Sequence, residues 1–184
     1  MSFSFNPLII PDVILIKTKS YTDTRGYFME LFRSSIFENF NIKTKFIQDS
    51  ISHSKKDVIR GLHFQNSQYK QAKLITVLSG EIFDVLVDIR KNSPTYGKYV
   101  TKILNEKDHD ILYVPEGFAH GFCVLSNYAN ILYKMSSEYS SESEKGIIWN
   151  DLDLDIPWPI SNPLVSDKDQ SLPRFKNIEN DFEY

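Results

Sequence analysis

Apolar residues fall in short runs divided by turn formers. Val13-Ile14-Leu15-Ile16 is β-branched and predicts a strand; Tyr21 to Gly26 reads as a turn, and Tyr27 to Phe32 as the next strand. Ile36, Phe37 and Phe40 recur at helical spacing behind Ser34 and Ser35, which predicts one short helix capped by either serine and no other. From Leu74 to Ile89 two strands flank Ser79-Gly80. In the second, Phe83, Val85, Val87 and Ile89 share one face, and Asp84, Leu86 and Asp88 the other. A carboxylate among such neighbours is costly to bury alone, so Asp84 requires a partner. Asn92 to Gly97 is a turn, while Tyr99 to Leu104, Ile111 to Val114 and Asn130 to Met135 are strands, the last with Ile131, Tyr133 and Met135 on one side. Beyond Trp149 the texture turns rich in Asp and Pro, and proline lacks the donor a central strand needs. Residues 150–184 are therefore expected to wrap over the sheet as a tail. Many short strands and one helix predict a β-sandwich or barrel, a single domain over residues 1–184.

Composition narrows this picture only in places. The hydrophobic share of 41% and charged share of 24% are ordinary for a globular chain, and 13 Phe and 10 Tyr favour strands and aromatic-lined cavities. A net charge of -3, with Lys and Arg scattered, argues against nucleic acid as a partner. No stretch resembles a signal peptide or a membrane span, so a cytoplasmic protein without membrane contact is expected. The one cysteine, Cys123, cannot form an intrachain disulfide and lies in an apolar run, where packing is its expected role.

Candidate chemistry gathers around Arg60-Gly61-Leu62-His63, Gln71-Ala72-Lys73, Pro115 to Phe122 with His120, and Tyr133-Lys134. The four histidines, His53, His63, His109 and His120, include no His-x-His pair, so nothing local presets a metal cage. Nucleophile elbows, phosphate loops and dinucleotide fingerprints are absent too, which leaves acid and base chemistry. His63 has the intrinsic pKa of a general base near neutrality, and a carboxylate on its other ring nitrogen would fix its tautomer; Asp169 and Asp84 are both candidates. Lys73 shares a predicted face with Ile75 and Val77, where it either enters a cavity to stabilise an oxyanion or snorkels to water. Tyr133 reads as a core tyrosine or as an acid. Arg60 reads as a surface residue or as a planar fork suited to a diphosphate.

In their order these segments resemble the dTDP-4-dehydrorhamnose 3,5-epimerase family. The resemblance takes in Asp23-x-Arg25-Gly26-x-Phe28-x-Glu30, Gln48-Asp49, Arg60 to His63, Gln71-x-Lys73-Leu74, Ser93-Pro94-Thr95-x-Gly97, Pro115 to Phe122, Tyr133-Lys134, Trp149-Asn150-Asp151, Ile156-x-Trp158-Pro159 and Ser166-x-Lys168-Asp169. It implies a cupin-like double-stranded β-helix, or jelly roll, working as a homodimer without metal or other cofactor. It further implies His63 as base held by Asp169, Tyr133 as acid on the opposite face, Lys73 at the enolate oxygen, and His120 with Asp84 lining the same cavity. Arg25, Phe28 and Glu30 would contact the nucleotide; Gln48, Ser50, Arg60 and Lys168 the phosphates and sugar; and Tyr139 the ligand. Ser50 stands where many members carry asparagine, and Ile51 where many carry histidine, departures that bear on ligand contacts and not on the acid or base. The implied reaction is inversion of C3 and C5 of dTDP-4-dehydro-6-deoxy-D-glucose. Alternatives are an epimerase serving one centre, a 3,4-ketoisomerase of similar fold, or a sugar-nucleotide-binding barrel without chemistry.

Overall fold

The computed structural model describes residues 2–184. The first sheet is built from β1 (Phe3–Pro7), β2 (Ile14–Thr18), β5 (Gln48–Lys55), β7 (Lys73–Ser79), β10 (Ile111–Val114) and β12 (Tyr128–Met135), with strand order β1-β2-β10-β7-β12-β5. The second comprises β6 (Ile59–Gln65), β8 (Glu81–Asp88), β9 (Tyr99–Asn105), β11 (Phe118–Val124) and β13 (Glu144–Gly146), ordered β13-β6-β11-β8-β9. Every pairing within these sheets is antiparallel. The two inner faces meet in one core, in which Ile75, Val77, Leu112 and Ile131 of the first sheet pack with Ile82, Leu86, Phe118 and Phe122 of the second. This is the antiparallel sandwich of a jelly roll, as expected.

The alternation in β8 works as the sequence requires. Leu86 faces that core, whereas Val85, Val87 and Ile89 face outward and are covered by Leu154, Ile156 and Phe182. The tail therefore seals the back of the second sheet, burying residues that would otherwise be an exposed apolar face. The back of the first sheet is sealed by Phe37 of α1 (Ser34–Asn39), which packs on Phe3, Ile16, Leu74 and Ile111.

Three expectations need correcting. Tyr21 to Gly26 is not a turn throughout: β3 (Ser20–Asp23) and β4 (Gly26–Met29) form a hairpin reversing at Thr24-Arg25, because Gly26 takes a φ of 128° that few other residues tolerate. Neither Ser34 nor Ser35 caps α1; both lie inside it, and Arg33 takes the cap position without a side-chain bond. Nor is α1 the only helix. A single turn, α2 (Asp167–Gln170), begins behind Ser166, whose Oγ accepts the N–H of Asp169 at 3.1 Å.

Candidate active site

His63 on β6 stands directly opposite His120 on β11, so one register places two imidazoles side by side. The close approach of these strands depends on glycine. Gly61 has φ of 115°, and a Cβ there would lie 2.6 Å from Gly121 Cα and 2.7 Å from the His120 carbonyl oxygen. The Gly61 N–H donates to Asp169 Oδ2 at 3.1 Å, and His63 Nε2 donates to Asp169 Oδ1 at 2.8 Å. Both oxygens of Asp169 are thus engaged by β6. Burial opposes ionisation of Asp169, but the His63 hydrogen bond and charge, with the Gly61 N–H and the Ser166 side chain, hold its carboxyl below the usual range.

Asp84, the other candidate support, goes to the other histidine: His120 Nε2 donates to Asp84 Oδ2 at 2.8 Å. Asp84 is completely buried, and Oδ1 meets no hydrogen-bond donor among the described residues. Burial pushes its pKa up, against the pull of His120 and Lys73. Lys73 turns into the cavity instead of snorkelling. Burial lowers its pKa to about 8, while the charges of Asp84 and Glu144 work the other way.

Tyr133, on β12 of the opposite sheet, packs edge to face on His120 with ring centroids 6.4 Å apart. Its hydroxyl lies 3.2 Å from Ser52 Oγ. Burial raises the phenol well above its ordinary range, with Ser52 and Arg60 acting in the opposite sense. Between these walls lies a cavity of about 410 Å³ lined by Gln48, Ser50, Arg60, His63, Lys73, His120, Tyr133 and Tyr139, together with Phe64, Gln65, Gln71, Phe122, Met135 and Glu144. An imidazole and a phenol therefore face one space from opposing sheets.

Asp169 and Asp84 stand behind the histidines, and Lys168 reaches the rim through Glu144, its Nζ donating to Oε2 at 2.5 Å. Arg25, Phe28 and Glu30 are not brought to this cavity. Arg25 and Phe28 line a separate groove with Tyr21, Asp23 and Tyr27, where Arg25 pairs with Asp23 at 2.6 Å; Glu30 pairs with Arg33. Cys123 is buried, and burial lifts its thiol to about 11, as packing requires. His53 hydrogen-bonds Asn130 and His109 packs beside Tyr27, both outside the cavity lining.

Sequence reasoning missed Ser52, Gln65 and Glu144. Gln65 is a buried carboxamide whose Nε2 donates to the carbonyls of Tyr69 (2.7 Å) and Glu138 (3.1 Å) while Oε1 accepts from the Ser140 N–H (2.7 Å), tying the rim loop to β6. Its place two residues beyond His63, on the same strand face, was the available signal. Glu144 pairs with Gln65 across β6 and β13, a contact no local pattern announces.

The family model described as dTDP-4-dehydrorhamnose 3,5-epimerase matches residues 7–177. A curated relative, the dTDP-4-dehydrorhamnose 3,5-epimerase of Shigella flexneri, is 49% identical over 92% of this chain and 94% of its own. Among solved structures, the dTDP-6-deoxy-D-glucose-3,5-epimerase of Legionella pneumophila, in complex with dTDP-4-keto-L-rhamnose, superposes with a TM-score of 0.93 at 41% identity, covering 96% of this chain and 95% of that one. A 3'-monoepimerase from Streptomyces bikiniensis, in complex with dTDP-quinovose, superposes at 0.87 with 29% identity over 93% of this chain and 87% of that one. With its sandwich, its facing imidazole and phenol and this degree of identity, the chain belongs to the dTDP-4-dehydrorhamnose 3,5-epimerase family.

Proposed function

We propose that the chain inverts C3 and C5 of dTDP-4-dehydro-6-deoxy-D-glucose, giving dTDP-4-dehydro-L-rhamnose, with side chains alone as acid and base. The observation that carries this reading is the Asp169-supported His63 and Tyr133 facing one cavity from opposite sheets. A C4 ketone acidifies the protons on C3 and C5, and inversion requires removal on one face and return on the other. His63, with Nε2 bonded to Asp169, takes the proton on Nδ1 and becomes an imidazolium paired with that carboxylate. The electron pair left on carbon delocalises onto O4, where the Lys73 ammonium stabilises it. Tyr133 gives its proton to the opposite face of the same carbon; the resulting phenolate is assisted by Ser52 and regains a proton from solvent as His63 loses one. The same cycle then serves the second carbon. His120, held by Asp84, binds the sugar beside Lys73.

Gln48, Ser50, Arg60, Tyr139 and Lys168 take the diphosphate and sugar in this reading. Arg25, Phe28 and Glu30 reach the nucleotide from a second copy of the chain, in a homodimer. Phe28 is 68% exposed on its hairpin, an apolar ring waiting for a covering surface. Sedimentation should give twice the 21.4 kDa chain mass, and a monomer at assay concentration would oppose this assembly. The single unpaired cysteine fits a cytoplasmic setting.

An epimerase of one centre is the second reading, since a 3'-monoepimerase shares the fold at 29% identity. The 49% identity with a 3,5-epimerase favours double inversion. Product NMR separates the two: the L-rhamno product is expected, and accumulation of the C3 epimer alone would establish the second reading instead.

A further inference from the structure

Glu144 is a carboxylate in the wall of a cavity that, on the reading above, receives a diphosphate, and like charge there is unfavourable. Its Oε2 accepts from Lys168 Nζ at 2.5 Å and from the Tyr139 hydroxyl at 2.6 Å. Both of these donors are read above as ligand contacts. The partners differ in freedom: the Glu144 side chain is 13% exposed at the head of β13, whereas that of Lys168 is 59% exposed and Tyr139 is also exposed at the rim. The donors can swing away; the carboxylate is held by the strand. Among the described residues Arg60, on the same cavity, meets no carboxylate, its Nε donating to Ser54 Oγ at 2.9 Å.

We propose that Glu144 is a specificity-determining residue, a resident anion that occupies Lys168 and Tyr139 in the empty site and yields them only to a diphosphate. A single phosphate or sulfate recovers too little to break the Glu144 pair, whereas a diphosphate engages Arg60 and Lys168 together. Glu144 thereby keeps small anions out of the site. Burial works against ionisation of Glu144, but Lys168 and Tyr139 hold it below the usual carboxyl range, so it is charged at neutral pH.

This inference rests on the nucleotide-diphosphate reading, and calorimetric titration with dTDP and with inorganic phosphate tests the two separately. Glu144→Gln should bind dTDP at least about threefold more tightly than wild type, the low end for a partly exposed charge pair, and should gain more affinity for inorganic phosphate than for dTDP; equal gains for the two ligands would leave Glu144 no part in specificity. Lys168→Met should cost more affinity for dTDP in the Glu144→Gln background than alone, because the lysine no longer gives up a partner to bind. Equal or weaker binding by Glu144→Gln, or the opposite ordering in the double variant, would overturn the proposal and make Glu144 a scaffold for Lys168. Failure of the wild-type chain to bind dTDP would remove the nucleotide reading and this one together. A crystal structure of the wild-type chain with dTDP applies the same test without a substitution. Lys168 Nζ is expected on a phosphate oxygen and away from Glu144; an intact Lys168–Glu144 pair in that complex contradicts the inference.

Discussion

Two histidines on adjacent strands receive different carboxylates, and the difference separates their roles. Asp169 has a hydrogen bond on each oxygen and is readily ionised; Asp84 is fully buried with one oxygen unpartnered, and its pKa is raised. His63 is therefore backed by a firm anion, the support an imidazolium requires. The cation opposite is less secure. With burial drawing Lys73 down to about 8, its ammonium is present below that pH and is lost as pH rises through it. If it stabilises the enolate, kcat should fall above about pH 8. Lys73→Arg, whose guanidinium stays charged, should lose this alkaline limb even where its overall rate is lower. A limb unchanged in Lys73→Arg would assign it to another group. The sequence left Lys73 between cavity and water because its predicted face alone fits either; enclosure by strands far apart in the chain decides it.

At the level of elements, catalytic geometry rests on a crossing of glycines and on one turn of helix. Gly61 admits the β11 backbone, gives its N–H to Asp169 and leads two residues on to His63. Gly61→Ala would place a methyl against Gly121 Cα and the His120 carbonyl at an unfavourable φ, so a loss of more than about 2 kcal/mol is expected, read by denaturant unfolding. Stability within about 0.5 kcal/mol of wild type would show that the crossing relaxes freely. The two-faced pattern of β8 and the apolar run of β10 ahead of Pro115 made those strands legible, and the proline-rich tail announced itself. Strand β3 reads as part of a turn from sequence because Tyr21, Thr22 and Asp23 are exposed and carry no core-facing pattern, whereas the strand expected from Tyr27 contains most of β4. The helix α2 is too short for periodicity to register, although Ser166 three residues before Asp169 is a capping signal.

For the molecule as a whole, the two-sheet sandwich supplies what an inverting enzyme needs, a cavity with two faces. His63 and His120 belong to one sheet, and Tyr133 and Lys73 to the other. Of this inner set the residues alone made His63 a candidate base but left Lys73 between cavity and water and Tyr133 between core and acid; the family resemblance is what implied that these three share a cavity with His120. Spacing alone leaves open which aspartate serves which histidine; the resemblance implies Asp169 for His63 and Asp84 for His120, and the docking of α2 and the pairing of β8 with β11 bring those partners together. Arg25 and Phe28 lie on the β3–β4 hairpin and Glu30 just after it, all three outside the cavity lining, and among the described residues of one chain no shared pocket unites them with the inner set. In the proposed reaction His63 removes protons from both carbons flanking the ketone. Incubation with dTDP-4-dehydro-6-deoxy-D-glucose in deuterium oxide tests it directly, read by NMR in the wild type and in His63→Ala. Deuterium is expected at both C3 and C5 with the wild type, and exchange reduced by roughly 10²–10⁴-fold at both positions in the variant. Exchange confined to C3, or wild-type exchange persisting in His63→Ala, would contradict it.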